Sequence, residues 1–247
     1  MNADHLRVND LTFAHGKAAP IFENLNLAVA PGETIGVIGP SGCGKSTLLA
    51  LLGGHLSPTA GSISGPERRL TVHQKDGLFP WLTAAGNVGL GIRDRTDRDE
   101  VVRRWIKAVH LDGSEHLYPH QLSGGMRQRA EIARALCAGA DVLLMDEPFS
   151  ALDYQTRIVI RGEILALLAE HPITMIYVTH DIEDALQLAD RIIVLAGRPA
   201  RITCELNISA PHPRDPMDPA LARASREILA ALLPSSLDRS SQPGRTP

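Results

Sequence analysis

The chain is short of the features that would make it a membrane-spanning, secreted or metal-clustered protein. Its apolar runs are brief, as in Val142-Leu-Leu-Met145 and Ile192-Ile-Val-Leu-Ala196, well below the roughly 20 residues of a transmembrane helix. Met1–Asp10 is polar and mixed in charge and lacks the apolar core of a signal peptide. The three cysteines, Cys43, Cys137 and Cys204, are odd in number, far apart and without metal spacing, which excludes a disulfide framework. A reduced, cytoplasmic protein is expected. Ten histidines are present, yet none falls in an H-E-x-x-H or a Cys/His cluster. There is no surplus of positive charge either: the net charge is −3, and a nucleic-acid partner is not expected. Internal repeats are absent. What remains, 247 residues of which 44% are hydrophobic, suits one large α/β domain or one core with a smaller insert.

The most specific stretch is Gly39, Pro40, Ser41, Gly42, Cys43, Gly44, Lys45, Ser46 and Thr47, which fits the phosphate-loop pattern G-x-x-x-x-G-K-[ST]. An apolar strand, Thr34–Ile38, precedes it and a helical run through Leu48, Leu49, Leu51 and Leu52 follows. The glycines let the backbone turn and aim its N–H groups at a polyphosphate. The helix start near Lys45 adds the positive end of its dipole. Lys45 brings a charge to the outer phosphates and the Ser46 hydroxyl is the expected Mg²⁺ ligand. A glycine-rich turn before an ordinary helix would need neither the lysine nor the hydroxyl.

Periodicity organises the rest. Leu6, Val8, Leu11 and Phe13 form one strand pattern and Leu25, Leu27 and Val29 another, expected to be antiparallel around a loop at residues 14–20. Gly53–Gly65 is turn-rich with a short extended piece, and Leu70–Gln74 reads as a strand. The alternating charges of residues 93–100 mark a solvated face, with a helix expected over Val101–Val109. A longer helix is expected from Gly124 to about Ala138. Asp141–Met145 and Ile173–Val178 are apolar runs of the kind buried on both faces of a parallel sheet. Helices are expected over Ile158–Leu168 and Ile182–Ala189, and a strand over Ile192–Leu195. Pro211–Pro219 reads as a connector before a closing helix, Ala220–Leu233, and residues 234–247 as a disordered tail. The alternation of strands and helices implies a mainly parallel sheet, with ligands off the carboxyl ends of its strands. Lys45, Gln74, Asp146 and His180 all fall at such ends.

These positions carry a family resemblance. Leu122-Ser-Gly-Gly-Met-Arg-Gln-Arg129 resembles the signature motif of ABC-type ATPases. Val142–Glu147 is similar to their Walker B strand, Ser150–Asp153 to the D-loop, Gln74 to the Q-loop glutamine and His180 to the switch histidine. The resemblance spans about Val8 to Leu206. It implies a P-loop NTPase (RecA-like) core with a parallel sheet, an N-terminal antiparallel β subdomain, and a helical subdomain inserted at about residues 76–139 of a single domain covering residues 1–233. It implies ATP and Mg²⁺ as cofactors, the metal held by Ser46, Gln74 and Asp146, and catalysis by Glu147, His180 and Gln74. A carboxylate such as Glu147 can orient or deprotonate the attacking water; left to itself it would read as a strand-end cap. Ser123, Gly124, Gly125 and Gln128 form a second anion site that, by resemblance, reaches the ATP of a partner subunit. Asp153 is the D-loop residue, and the resemblance implies a homodimer or a pair of ATPase subunits with ATP at the interface.

Two particulars refine the resemblance. Where the family stacks an aromatic ring on adenine, this chain has His15 before Gly16, a smaller ring or simply a loop residue. The segment Gln74-Lys-Asp-Gly-Leu-Phe-Pro-Trp81 resembles importers of nitrate, alkanesulfonates and taurine. Leu78, Phe79 and Trp81 are then either local core or a docking surface for a permease at the cytoplasmic face of the membrane, fed by a substrate-binding protein. An exporter subunit, or an ABC ATPase acting on DNA or ribosomes, is the alternative. Neither the long coiled-coil insertion nor the tandem loops of those machines are seen, and no regulatory β-domain is expected after Leu233. Cys43, inside the phosphate loop, is expected to have a lowered pKa and to be open to thiol reagents.

Overall fold

The computed structural model describes residues 5–73, 77–92, 97–150 and 152–233. β1 (Leu6–Phe13) lies between β2 (Phe22–Val29) and β4 (Ala60–Ser64) in an antiparallel sheet. The alternation of Leu6 and Val8 resumes at Leu11 and Phe13, one residue out of phase, and the ladder takes up the slip as a bulge between Val8 and Leu11. Asp10 sits at the slip with φ 48, a conformation that aspartate tolerates better than most residues. There it exchanges hydrogen bonds with Asn26, at 2.9 Å and 3.0 Å.

The larger sheet is built on β3 (Thr34–Ile38), all five residues of which are buried. It runs parallel to β7 (Thr174–Thr179) on one side and β8 (Arg191–Ala196) on the other. Beyond β7 lie β6 (Val142–Asp146) and β5 (Arg69–Val72), also parallel. β9 (Arg201–Asn207) closes the far edge antiparallel to β8, giving the order β5-β6-β7-β3-β8-β9. This is the P-loop NTPase arrangement with one antiparallel edge strand that the sequence reading leaves out. Along β9 half-buried Ile202, Cys204 and Leu206 alternate with exposed residues, a weaker signal than a fully buried run. Arg191 ties the two sheets: it reaches Glu33 at 2.7 Å, Glu205 at 2.6 Å and the carbonyl of Ala28.

α1 (Lys45–Leu52) is apolar on more than one face because it is sandwiched. Leu48, Leu49, Leu51 and Leu52 pack between Leu6 and Val8 of the small sheet and Leu144 and Ile176 of the large one. The opposite face is covered by α5 (Tyr154–Glu170), α6 (Ile182–Leu188) and α7 (Pro219–Leu232). α5 starts four residues before Ile158 because Asp153 caps it, accepting from the Thr156 N–H at 3.0 Å and hydroxyl at 2.6 Å. The proline-punctuated connector before α7 is no loose linker. Buried Arg214 donates to the carbonyls of Leu186 and Ala189, both at 2.7 Å, and to those of Ile208 and Ala210. Deleting it would strand carbonyls at the end of α6, at roughly 1–3 kcal/mol for each that stays buried and unpaired.

Between β5 and β6 come α2 (Ala84–Val88), α3 (Arg98–Ala108) and α4 (Gly124–Cys137). Val88, Trp105, Ile106, Leu122 and Ile132 pack together there. The fully buried Asn87 holds the turn before α2: its Oδ1 accepts from the Phe79 N–H at 2.7 Å and its amide donates to Phe79, Leu82 and Thr83 carbonyls. No helix of the described residues is long and apolar enough to cross a membrane. The proposed tail, residues 234–247, lies outside the described residues, as do Gln74 and part of the charged run at residues 93–96.

Candidate nucleotide site

The phosphate loop turns between β3 and α1 and cannot be built from larger residues. Gly44 has φ 108, and a Cβ on it would stand 2.5 Å from Ile21 Cγ2. A Cβ on Gly39 would stand 2.5 Å from the Leu195 carbonyl oxygen. Lys45 is nearly buried, its ammonium donating to the carbonyls of Gly39 at 2.7 Å and Pro40 at 3.2 Å. Ser46 stays exposed in the first turn of α1 and Thr47 half-buried behind it; Ser41 and Gly42 are exposed on the loop.

Cys43 corrects the sequence reading. Its thiol points inward beneath Gly39, and burial pushes its pKa up against the lowering effect of the Lys45 charge. The helix-terminus effect is there, but desolvation outweighs it. In the folded protein Cys43 should therefore react with a thiol reagent at neutral pH more slowly than half-buried Cys137, as read by mass mapping of the alkylated cysteines. Faster labelling of Cys43 would restore the reactive-thiol reading.

Sheet register brings the other strand-end groups to the same edge. Asp146 pairs with Val178 across β6 and β7, and Val178 pairs with Val37 across β7 and β3. Glu147 follows with φ 47, a left-handed conformation that costs a non-glycine residue about 1–2 kcal/mol. Its N–H donates to the Val178 carbonyl at 3.0 Å, and its own carbonyl accepts from the Ser150 N–H and hydroxyl. This backbone anchoring aims the carboxylate at His180, whose Nδ1 is 3.3 Å from Glu147 Oε1. His180 is largely exposed at the end of β7. A carboxylate and an imidazole so placed can hold a water and take its proton.

The start of α4 borders the same region. Ser123 caps the helix by accepting from the Met126 N–H at 3.2 Å. Gly125 packs on α5, where a Cβ would meet Ile160 and Thr156 at 3.3 Å. A cavity of about 70 Å³ is lined by Gly124, Gln128, Glu147 and Leu152 among others, and the Gln128 side-chain nitrogen is buried with no hydrogen-bond partner among the described residues. Asp153 is engaged in its cap, which holds its carboxyl below the ordinary range through the Thr156 hydroxyl first and its N–H second.

His15 is exposed and its ring meets Phe13 edge-on, with centroids 4.9 Å apart. The aromatic segment divides. Leu78 is 5% exposed and belongs to the core, whereas Phe79 and Trp81 are 41% and 68% exposed with ring centroids 5.1 Å apart. The docking expectation therefore narrows to these two rings. Sequence reasoning missed what holds them, Asn87, and the latch beside them. Gly77 is bound by two α4 side chains, Glu131 Oε1 accepting from its N–H at 2.8 Å and Arg134 donating to its carbonyl at 2.6 Å. The available sequence signal was Glu131 with Arg134 three residues on, in the helix expected from Gly124.

Known proteins share this arrangement. The sequence profile of the ABC transporter family matches residues 22–150. The aliphatic sulfonates import ATP-binding protein SsuB 1 of Pseudomonas syringae is 42% identical over 92% of this chain and 94% of its own length. An uncharacterized ABC transporter ATP-binding protein, MJ0412 of Methanocaldococcus jannaschii, is 40% identical over 85% and 84%. Among solved structures, the dimeric, post-hydrolysis ATP-binding cassette MJ0796, bound to ADP and phosphate, aligns with a TM-score of 0.70 at 30% identity, over 83% of this chain and 99% of that one. With its phosphate loop, signature helix and strand-end carboxylates in that order, the chain belongs to the ABC transporter family, as one of its ATP-hydrolysing cassettes.

Proposed function

We propose that this chain powers an importer of small sulfonated compounds, working at the cytoplasmic face of the membrane through permease subunits. The reading rests on the likeness, along nearly the whole of both chains, to an aliphatic sulfonates import ATP-binding protein. The relatives' names favour sulfonates over nitrate. Phe79 and Trp81, exposed side by side, are the proposed contact with the permease, since rings of that size left in water usually mark an interface. A substrate-binding protein would deliver the cargo from the other side.

In the proposed cycle the loop N–H groups and Lys45 hold the phosphates of ATP. Ser46 and Asp146, joined in the family resemblance by Gln74, would hold Mg²⁺ through hard oxygen donors of the kind it takes. Bound there, the metal would neutralise charge on the phosphate oxygens. Glu147 accepts the proton of the water that attacks the γ-phosphorus, and the bond to the β–γ bridging oxygen breaks. His180 keeps the Glu147 carboxylate in place and hydrogen-bonds the γ-phosphate. Ser123, Gly124, Gly125 and Gln128 complete the site of a second copy, with Asp153 supporting the junction. ATP is then part of the interface, and its loss loosens the dimer.

A strain carrying Lys45→Ala in place of the native protein tests the cargo. It should fail to grow on an alkanesulfonate as sole sulfur source and grow normally on sulfate; growth on both overturns the reading. Trp81→Ala should leave ATP turnover of the isolated subunit intact and abolish sulfonate uptake. Normal uptake would remove the aromatic pair from the permease contact.

A further inference from the structure

The hairpin joining β8 to β9 carries an arginine with no role in the cycle above. Because β8 runs parallel to β3, its carboxyl end and residues 197–200 lie at the same sheet edge as the phosphate loop. Arg198, exposed at the tip, turns its guanidinium toward that loop: Nη2 lies 3.5 Å from where a Cβ on Gly42 would stand. Between hairpin and loop is a cavity of about 340 Å³, walled by Pro20, Ile21, Gly42, Cys43, Arg198 and Pro199 among others, a size in the range of small-molecule sites. Among the described residues lining it, Arg198 alone is charged. Its neighbours Arg191 and Arg201 pair with Glu33, Glu205 and Glu23, whereas Arg198 has no carboxylate partner among the described residues. The field of Arg198 also reaches the loop, acting to lower the Cys43 pKa. His15 is not on this wall; its ring is turned to Phe13.

We propose that Arg198 is a nucleotide-binding residue, donating from the β8–β9 hairpin to phosphate oxygens of the ATP held by the loop. A guanidinium suits this better than any other side chain. Its planar fork matches phosphate oxygens, it is always charged, and it gives up its water more readily than an ammonium does. The seat over Gly42 puts it against the phosphates rather than the base. ATP and GTP, alike in their phosphates, should therefore feel its loss equally.

Displacement of a fluorescent ATP analogue from the isolated subunit tests this, with ATP and GTP as competitors and the melting temperature measured in parallel. Arg198→Ala should weaken both nucleotides by about tenfold, the effect of one charge-assisted hydrogen bond. Arg198→Lys should restore part of the loss, and the binding of Arg198→Ala should depend less on salt. In steady-state turnover the change should fall on KM, with kcat little altered. Unchanged affinity overturns the proposal. So does a loss confined to ATP, which would mean stacking on the base, or a loss that tracks a lowered melting temperature and is not relieved by lysine. The readout needs no permease or cargo, so its failure would leave the sulfonate reading standing, and failure of the growth test would leave this one.

Discussion

Glu147→Gln is expected to slow ATP turnover at least about a hundredfold, or about 2.7 kcal/mol of barrier, while ATP binding is retained. The backbone geometry makes the substitution clean. The N–H to Val178 and the carbonyl taken by Ser150 belong to the main chain, so glutamine can occupy the same left-handed position. Its amide oxygen can still face His180. What it lacks is the negative charge and the ability to take a proton from water. With hydrolysis blocked, ATP should persist, and the variant should elute at dimer mass in ATP while the wild type returns to monomer as nucleotide is consumed. Phosphate release and size-exclusion chromatography read the two halves. Near-normal turnover would assign the base elsewhere. Loss of binding as well, with a lowered melting temperature, would make Glu147 a strand-end support.

The parts of this fold that could be read from the sequence are those whose signal is local. β3, β6 and β7 are continuous apolar runs because both their faces are covered. The phosphate loop is legible because its glycines, lysine and hydroxyl must be contiguous. Even the bulge in β1 is written in the slip from Val8 to Leu11. What escaped depends on groups distant in the chain. Arg214 looks like one charge in a proline-rich linker until the carbonyls of Leu186 and Ala189 close around it. Cys43 was misjudged because the helix terminus beside it is visible in sequence and the burial that outweighs it is not. Leu78 and Phe79 are adjacent and equally apolar, yet one is core and the other surface. β9 is polar enough on its open edge to pass for a loop. Arg198 has no motif around it and acquires meaning only because β8 and β3 are parallel neighbours.

Two inactive variants mixed together should regain activity, and this is the sharpest test of whether the site is divided between copies. Lys45→Ala removes the ammonium that sits on the phosphate loop and keeps the start of α4 intact. Ser123→Arg does the reverse, replacing the α4 cap and leaving the loop untouched. Each alone should turn over ATP about a hundredfold more slowly than wild type, on the scale of losing one preorganised group at the reacting phosphate. If the signature helix of one copy completes the ATP site of the other, a mixed dimer pairs the good loop of one chain with the good helix of its partner. Random mixing makes about half the dimers mixed, each with one working site of two, so roughly a quarter of wild-type activity should return. If loop and helix act within a single chain, every chain in the mixture is broken and nothing returns. The 70 Å³ cavity shared by Gly124 and Glu147 in one chain is what makes the second outcome a physical possibility. The dimeric state of the similar cassette MJ0796 favours the first, because a two-fold axis can bring the helix start of one copy to the phosphate loop of the other.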